Sequence, residues 1–214
     1  SWEFQALLKA RPLAGDAALG EAYVASTQPK VWASSGREDF VDNVQRMRER
    51  VMEHIPSADV PHQVKLGPGG IRDIEFAVQL LQLVHGRSDD AIRQRGTLPA
   101  IAALEQGGYI GRNEAAAFSR DYRTLRLIEH RLQLVGLSRT HLMPRTDEGL
   151  RTLARATGLA DSADGIGEVW EAIKREVREI HVRLFYRPLL AAVARLPQDE
   201  ASLTEAQARD RLAA

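Results

Sequence analysis

The chain has 214 residues, of which 44% are hydrophobic and 27% charged, with 29 Lys and Arg balanced by 29 Asp and Glu and no cysteine. This is the composition of one large or two small soluble globular domains. Zero net charge excludes a global field drawing the chain to nucleic acid or an anionic membrane, and the absence of thiols excludes disulfides, thiolate metal sites and a cysteine nucleophile. No apolar run approaches the roughly 18 residues of a membrane span and no charged-then-apolar leader is present, so cytoplasm is the expected compartment.

Period 3.6 dominates the chain and no sustained period-2 run rich in Val, Ile and Thr interrupts it, so the expected fold is all-α, a helical bundle with short loops. The opening "SWEFQALLKARPL" starts inside an amphipathic helix without an initiator Met, as an excised piece of a longer protein would. A short helix is expected from Trp2 to Lys9, ended before Pro12, and Asp16 caps a second from Asp16 to Ser26. "TQPKVWASSGR" then reads as a connector. From Glu38 to Ile55, Phe40, Val44, Met47 and Val51 recur at helical spacing with Arg and Glu on the opposite face, and "PSADVPHQ" breaks the pattern. A strongly apolar helix follows from Ile71 to His85, with Gly86 expected as a left-handed cap.

Further helices are expected at Thr97 to Gln106, Asn113 to about Leu137, and Asp147 to Thr157. Ile166, Val169, Trp170, Ile173, Val177, Ile180 and Leu184 then mark one face of a long helix that Pro188 is expected to kink or end. The implied organisation is residues 1–36 as helices trailing a neighbouring domain, 37–195 as the bundle, and 196–214 as a polar tail.

Two helices carry the same polar spacing. Arg72, Glu75, Gln79 and Gln82 cluster within roughly 80° of arc on an otherwise apolar helix, and Arg126, Glu129 and Gln133 repeat the first three positions. Glu129 falls on the arc of Phe118, Tyr122, Leu125 and Leu132, so it is expected inside the core, where a carboxylate needs a cation. The expected arrangement is two antiparallel helices exchanging partners, Arg72 with Glu129 and Arg126 with Glu75. The alternative is two solvated stripes, each pairing within its own helix.

"KLGPGGIRDIEF", Lys65 to Phe76, sets Gly69 and Gly70 before a helix whose third residue is Asp73. A glycine loop feeding a helix N-terminus suits an anion, with Lys65 and Arg72 adding charge; equally, it suits a hinge. The Gly-Lys-Ser/Thr ending of a P-loop is missing, and no strand precedes the glycines as a dinucleotide fingerprint requires. Six histidines lack His-x-x-x-His spacing, no nucleophile elbow surrounds Ser34 and Ser35, and Asp89-Asp90 and Asp161 to Asp164 lack calcium-loop spacing, so these residues hold neither a complete catalytic set nor a metal site.

"VKLGPGGIRDIEFAVQLLQLVHG", "YRTLRLIEHRLQL" and "WEFQALLKARPLAGD" together resemble the bifunctional glutamine synthetase adenylyltransferase/adenylyl-removing enzymes over Trp2 to about Ala194. The resemblance implies a helical bundle following a nucleotidyltransferase domain that lies upstream of "WEFQALLKAR" and carries the metal-binding aspartates. Mg²⁺, ATP, ADP and phosphate are the cofactors and reactants of the complete enzyme; glutamine synthetase and the PII signal protein are its partners. Arg72 after the glycines points to the half that removes AMP from a synthetase tyrosine by phosphorolysis.

On that resemblance no catalytic residue falls in this chain and the isolated fragment is expected to be inactive. The chain would supply a wall to the active site. Arg11 and Lys65 would neutralise phosphate, Gly69 and Gly70 would admit a close backbone approach, and Arg72, Asp73 and Glu75 would organise the surroundings. Two alternatives stay open: the similar "GPGGLRD" segment of PII uridylyltransferases, against which Leu66 and the "IEF" after Asp73 speak, and a non-catalytic module binding PII or the synthetase.

Overall fold

The computed structural model describes residues 2–36 and 40–193, and among them the protein is helical with no strands. The helices are α1 (Trp2–Leu7), α2 (Ala17–Ala33), α3 (Phe40–Glu53), α4 (Ile71–His85), α5 (Thr97–Gln106), α6 (Arg112–Gly136), α7 (Asp147–Thr157) and α8 (Ala163–Val193). The expected polar tail, 196–214, lies outside the described residues, as do 37–39.

Local chemistry explains most boundaries. The Asp16 carboxylate accepts the Leu19 N–H at 3.1 Å to start α2, and Thr146 does the same for Gly149 at 3.2 Å to start α7. Gly158, at φ 65°, ends α7 in the left-handed conformation. Three expectations are corrected. The segment 27–33, read as connector, continues α2 through Pro29, because Val31 and Trp32 are buried and their packing offsets the one backbone donor that proline removes. Gly86 is right-handed, at φ −66°; a Cβ there would meet the Gln82 carbonyl at 2.4 Å and the Trp32 ring at 2.8 Å, so the glycine serves close packing. Of the kink or end expected at Pro188, the end is not made: α8 runs on to Val193, since one lost hydrogen bond does not stop a helix of 31 residues.

Twelve of the 15 residues of α4 are buried, because hydrophobic clusters cover it on two sides. Ile71, Ile74, Ala77, Val78 and Leu81 enter the larger cluster, with Leu104 of α5, Phe118, Leu125 and Ile128 of α6, Leu153 of α7 and Trp170 and Val177 of α8. Phe76, Leu80 and Leu83 enter the second, with Leu8, Val31, Trp32, Phe40, Val44 and Phe185. The first thirty residues are thereby joined to the bundle through α4. The segment before α4 runs beside the segment after α6, linked by the antiparallel bridge of Gln63 with Leu142 and by the Val64 N–H to His141 carbonyl bond of 2.8 Å.

Candidate anion-binding cleft

The glycine turn is stitched from inside. Gly69 has φ 74°, and a Cβ there would lie 2.2 Å from the Lys174 carbonyl oxygen of α8, so only glycine lets the turn seat against that helix. The next N–H groups are all engaged: Gly69 donates to Asp73 Oδ2 at 2.8 Å, Gly70 to the Gly67 carbonyl, Ile71 to Val64, Arg72 to Lys65 and Asp73 to Gly70. A helix N-terminus binds an anion through free N–H groups. Here the chain's own oxygens take them, and the close approach that Gly69 and Gly70 allow is to α8 and to loop carbonyls. Any anion at this end of α4 is therefore met by side chains.

Asp73 does more than cap the turn. It is fully buried, and Oδ1 accepts from Arg48 Nε at 2.8 Å and Nη2 at 2.6 Å; His181 Nε2 lies 3.9 Å away. α3, α4 and α8 are thus tied by three titratable side chains, each less than 5% exposed. Burial alone would raise the Asp73 pKa, but His181, Arg48 and the Gly69 N–H reverse it and hold the carboxyl below its ordinary value. For His181 burial wins and lowers the pKa to about 4, so the imidazole is neutral near pH 7 and the Arg48 and Asp73 charges cancel. The histidine ring stacks on Phe185 with centroids 4.7 Å apart.

The paired glutamates are buried, as Glu129 was expected to be, yet the exchange of arginines between helices is not made. Arg72 Nη1 donates to Glu75 Oε2 at 3.0 Å and Arg126 Nη1 to Glu129 Oε2 at 2.6 Å, each within its own helix. Arginine at i and glutamate at i+3 share one helical face, so each pair closes locally without a crossing helix. Lysines make the cross-element contacts: Lys65 Nζ reaches Glu129 Oε1 at 3.1 Å and Lys9 Nζ lies 3.7 Å from Glu75 Oε1. Tyr122 O–H adds a 3.3 Å bond to Glu75 Oε1, and His141 Nδ1 stands 3.1 Å from Glu129 Oε1. Gln79 Oε1 accepts from Gln5 Nε2 at 2.8 Å, and Gln133 Nε2 donates to the Thr140 carbonyl at 3.4 Å. Burial lowers the His141 pKa, and the neighbouring Lys65 and Arg139 lower it further against the pull of Glu129.

Above these anchors a cleft with two adjoining lobes opens between α3 and the start of α4. The first lobe, about 450 Å³, is lined by Gln5, Lys9, Lys65, Arg72, Glu75 and Gln79 over Met47 and Phe76. The second, about 540 Å³, continues past the shared Lys65 and Arg72 to Arg50, His54, Arg139 and His141. Of the expected site residues, Lys65, Arg72 and Glu75 thus converge on the cleft. Asp73 lies beneath it in the core, and Arg11 is exposed in the connector after α1, outside both linings. Among the described residues no group of three or more His, Cys, Asp or Glu is placed to hold a metal ion.

Arg48, His181, Lys9 and Arg139 escaped the sequence reading. For Arg48 a signal existed: it follows Val44 by four residues and so projects about 40° from it, on the apolar edge of α3. His181 follows Val177 on the same principle. Lys9 and Arg139 reach the cleft from distant segments, and no local spacing announces that.

The family model described as GlnD PII-uridylyltransferase matches residues 36–185, which takes in α3 to α7 and α8 as far as Phe185. The chain belongs to this family. The GlnD match leaves out α1 and α2, but curated relatives are similar over the whole chain. The bifunctional glutamine synthetase adenylyltransferase/adenylyl-removing enzyme of Leifsonia xyli subsp. xyli is 63% identical over 100% of this chain and 22% of its own length. The protein of the same name from Streptomyces coelicolor is 55% identical, again over 100% of this chain and 22% of its own. That from Mycobacterium tuberculosis is 51% identical over 90% of this chain and 20% of its own. This GlnD-family chain therefore spans about a fifth of the length of the curated relatives it matches.

Proposed function

We propose that this chain is the helical unit of an enzyme that regulates glutamine synthetase by adding and removing AMP, from the half that removes AMP from a synthetase tyrosine by phosphorolysis. The observation that carries this reading is the cationic cleft at the glycine turn, where Lys65 and Arg72 stand in both lobes. Phosphorolysis gathers negative charge from orthophosphate and from the AMP phosphodiester; the reaction needs cations held in place before the reactants arrive. Glu129 holds Lys65 and Glu75 holds Arg72, so both enter the cleft from fixed anchors. The residues fit phosphate groups of ATP, ADP or orthophosphate. They do not fit Mg²⁺, whose carboxylate ligands this reading assigns to the nucleotidyltransferase domain of the complete enzyme.

On this reading the chain binds and orients phosphate at the edge of a catalytic lobe, and by itself neither attaches nor removes AMP. Glutamine synthetase is the substrate of the complete enzyme and PII its regulator, in the cytoplasm. The test is phosphorolysis of adenylylated glutamine synthetase by the complete enzyme. Arg72→Ala and Lys65→Ala are expected to lower kcat/KM for orthophosphate by tenfold or more in a folded protein. Wild-type rates in both variants would remove the cleft from the reaction.

A further inference from the structure

We infer that the second lobe of the cleft is a diphosphate-binding site, taking inorganic pyrophosphate or the diphosphate of a nucleotide chiefly through Arg50 and Arg139. The inference rests on the phosphate-handling cleft proposed above, whose Lys65 and Arg72 this lobe shares, and deepens it through Arg50 and Arg139, which line this lobe alone.

The lobe is unusual in its charge. Arg50, Lys65, Arg72 and Arg139 line it with two histidines and not one carboxylate, in a chain whose acids and bases number 29 each. Cations that no carboxylate answers repel one another, and a bound anion relieves that repulsion. Lys65 and Arg72 are already engaged by Glu129 and Glu75. Arg50 and Arg139 are exposed and make no ion pair among the described residues, so two guanidinium groups are left to a ligand.

The ligand class follows from where these cations originate. Arg50 comes from the last turn of α3, Lys65 and Arg72 from the two ends of the glycine turn, and Arg139 from the segment after α6. One phosphate presents a single charge centre, whereas two linked phosphates present charge to opposite walls and to both forks of a pair of arginines. The volume, about 540 Å³, exceeds what a diphosphate fills, and Met47, Val51 and Leu66 give the remainder an apolar surface on which a base or sugar can lie. His54 and His141 complete the lining and serve as reporters of occupancy. His181, by contrast, is buried in the core with Asp73 and stays silent.

Calorimetric titration of the chain at fixed ionic strength, with orthophosphate, pyrophosphate and ADP as probes, tests the site. Expected is saturable one-to-one binding of pyrophosphate at least tenfold tighter than orthophosphate, with shifts in the imidazole NMR signals of His54 and His141 but not His181. Arg50→Gln and Arg139→Gln are each expected to weaken it about tenfold, without moving the urea midpoint, since neither side chain holds the fold together. ADP binding as tightly as pyrophosphate, or more tightly, supports the shared diphosphate chemistry; ADP excluded while pyrophosphate binds supports the inorganic ligand. No saturable binding of either diphosphate would overturn the site, as would binding that the double variant retains in full or shifts confined to His181. Because no step is catalysed here, failure of this titration leaves the phosphorolysis test untouched, and the converse holds.

Discussion

Arg48 and Asp73 form an ion pair that is closed to solvent: both guanidinium bonds, 2.6 and 2.8 Å, end on Asp73 Oδ1, while Oδ2 holds the Gly69 N–H. One carboxylate therefore fixes α3 to α4 and shapes the glycine turn. Replacing Arg48 with Met leaves a buried carboxylate without its cation, and replacing Asp73 with Asn leaves the cation. Each is expected to cost about 3–5 kcal/mol. Urea denaturation of the two single variants and the double variant checks this; a double-variant loss well below the sum of the single losses is expected, because both report one contact.

The same cluster sets an acid limit on stability. His181 takes up a proton at 6.5 when unfolded and at about 4 when folded. Between these values the unfolded chain binds the extra proton, so stability is complete above pH 6.5 and falls as pH drops toward 4, by roughly 3 kcal/mol in total. Asp73, whose folded pKa is held below 3.8, loses its contribution only at still lower pH. Unfolding free energies measured from pH 7.5 to 4 are expected to show this slope, and His181→Gln to flatten it.

Glu129 is 1% exposed and is approached by Arg126, Lys65 and His141. Glu129→Gln removes the charge that gathers them and is expected to cost about 3 kcal/mol by leaving partly buried cations unanswered. Thermal unfolding of Glu129→Gln beside Lys65→Met measures it. The lysine variant is expected to lose less, because Arg126 remains.

Two glycines with positive φ separate strain from contact. Gly158 has open space around its missing Cβ, whereas Gly69 faces the Lys174 backbone at 2.2 Å. Gly158→Ala is expected to cost about 1 kcal/mol, the left-handed penalty alone. Gly69→Ala is expected to cost roughly 2–4 kcal/mol, since overpacking adds to that penalty. Denaturation midpoints of the two variants give the comparison.

The helices most legible in the sequence were those whose ends carry their own chemistry. α4, α5 and α7 fall at the expected residues because apolar periodicity and a glycine or threonine at an end are local features. α2 was legible only in part, because Pro29 is a local breaker whereas the burial of Val31 and Trp32 that overrides it is tertiary. The site shows the same division. Glu129 was readable as a core carboxylate from its helical arc, and the need for a cation followed from electrostatics. Which cation was not readable: Lys65 reaches it from 64 residues away, and Arg126 from its own helix competes on equal terms. Arg48 was hidden among the charges of "RMRER", where one inward arginine looks like its solvated neighbours.

Packing on both sides of α4 also bears on how the molecule opens. Neither hydrophobic cluster can come apart without baring a side of this helix, so local fluctuations have no route to its middle turns. Amide protons from Ile74 to Leu83 should exchange with deuterium only when the whole chain melts, and at its rate. α2, exposed along its first turns, should exchange early. The segment that began as an unexplained run of glycines thus leads into the slowest clock in the protein.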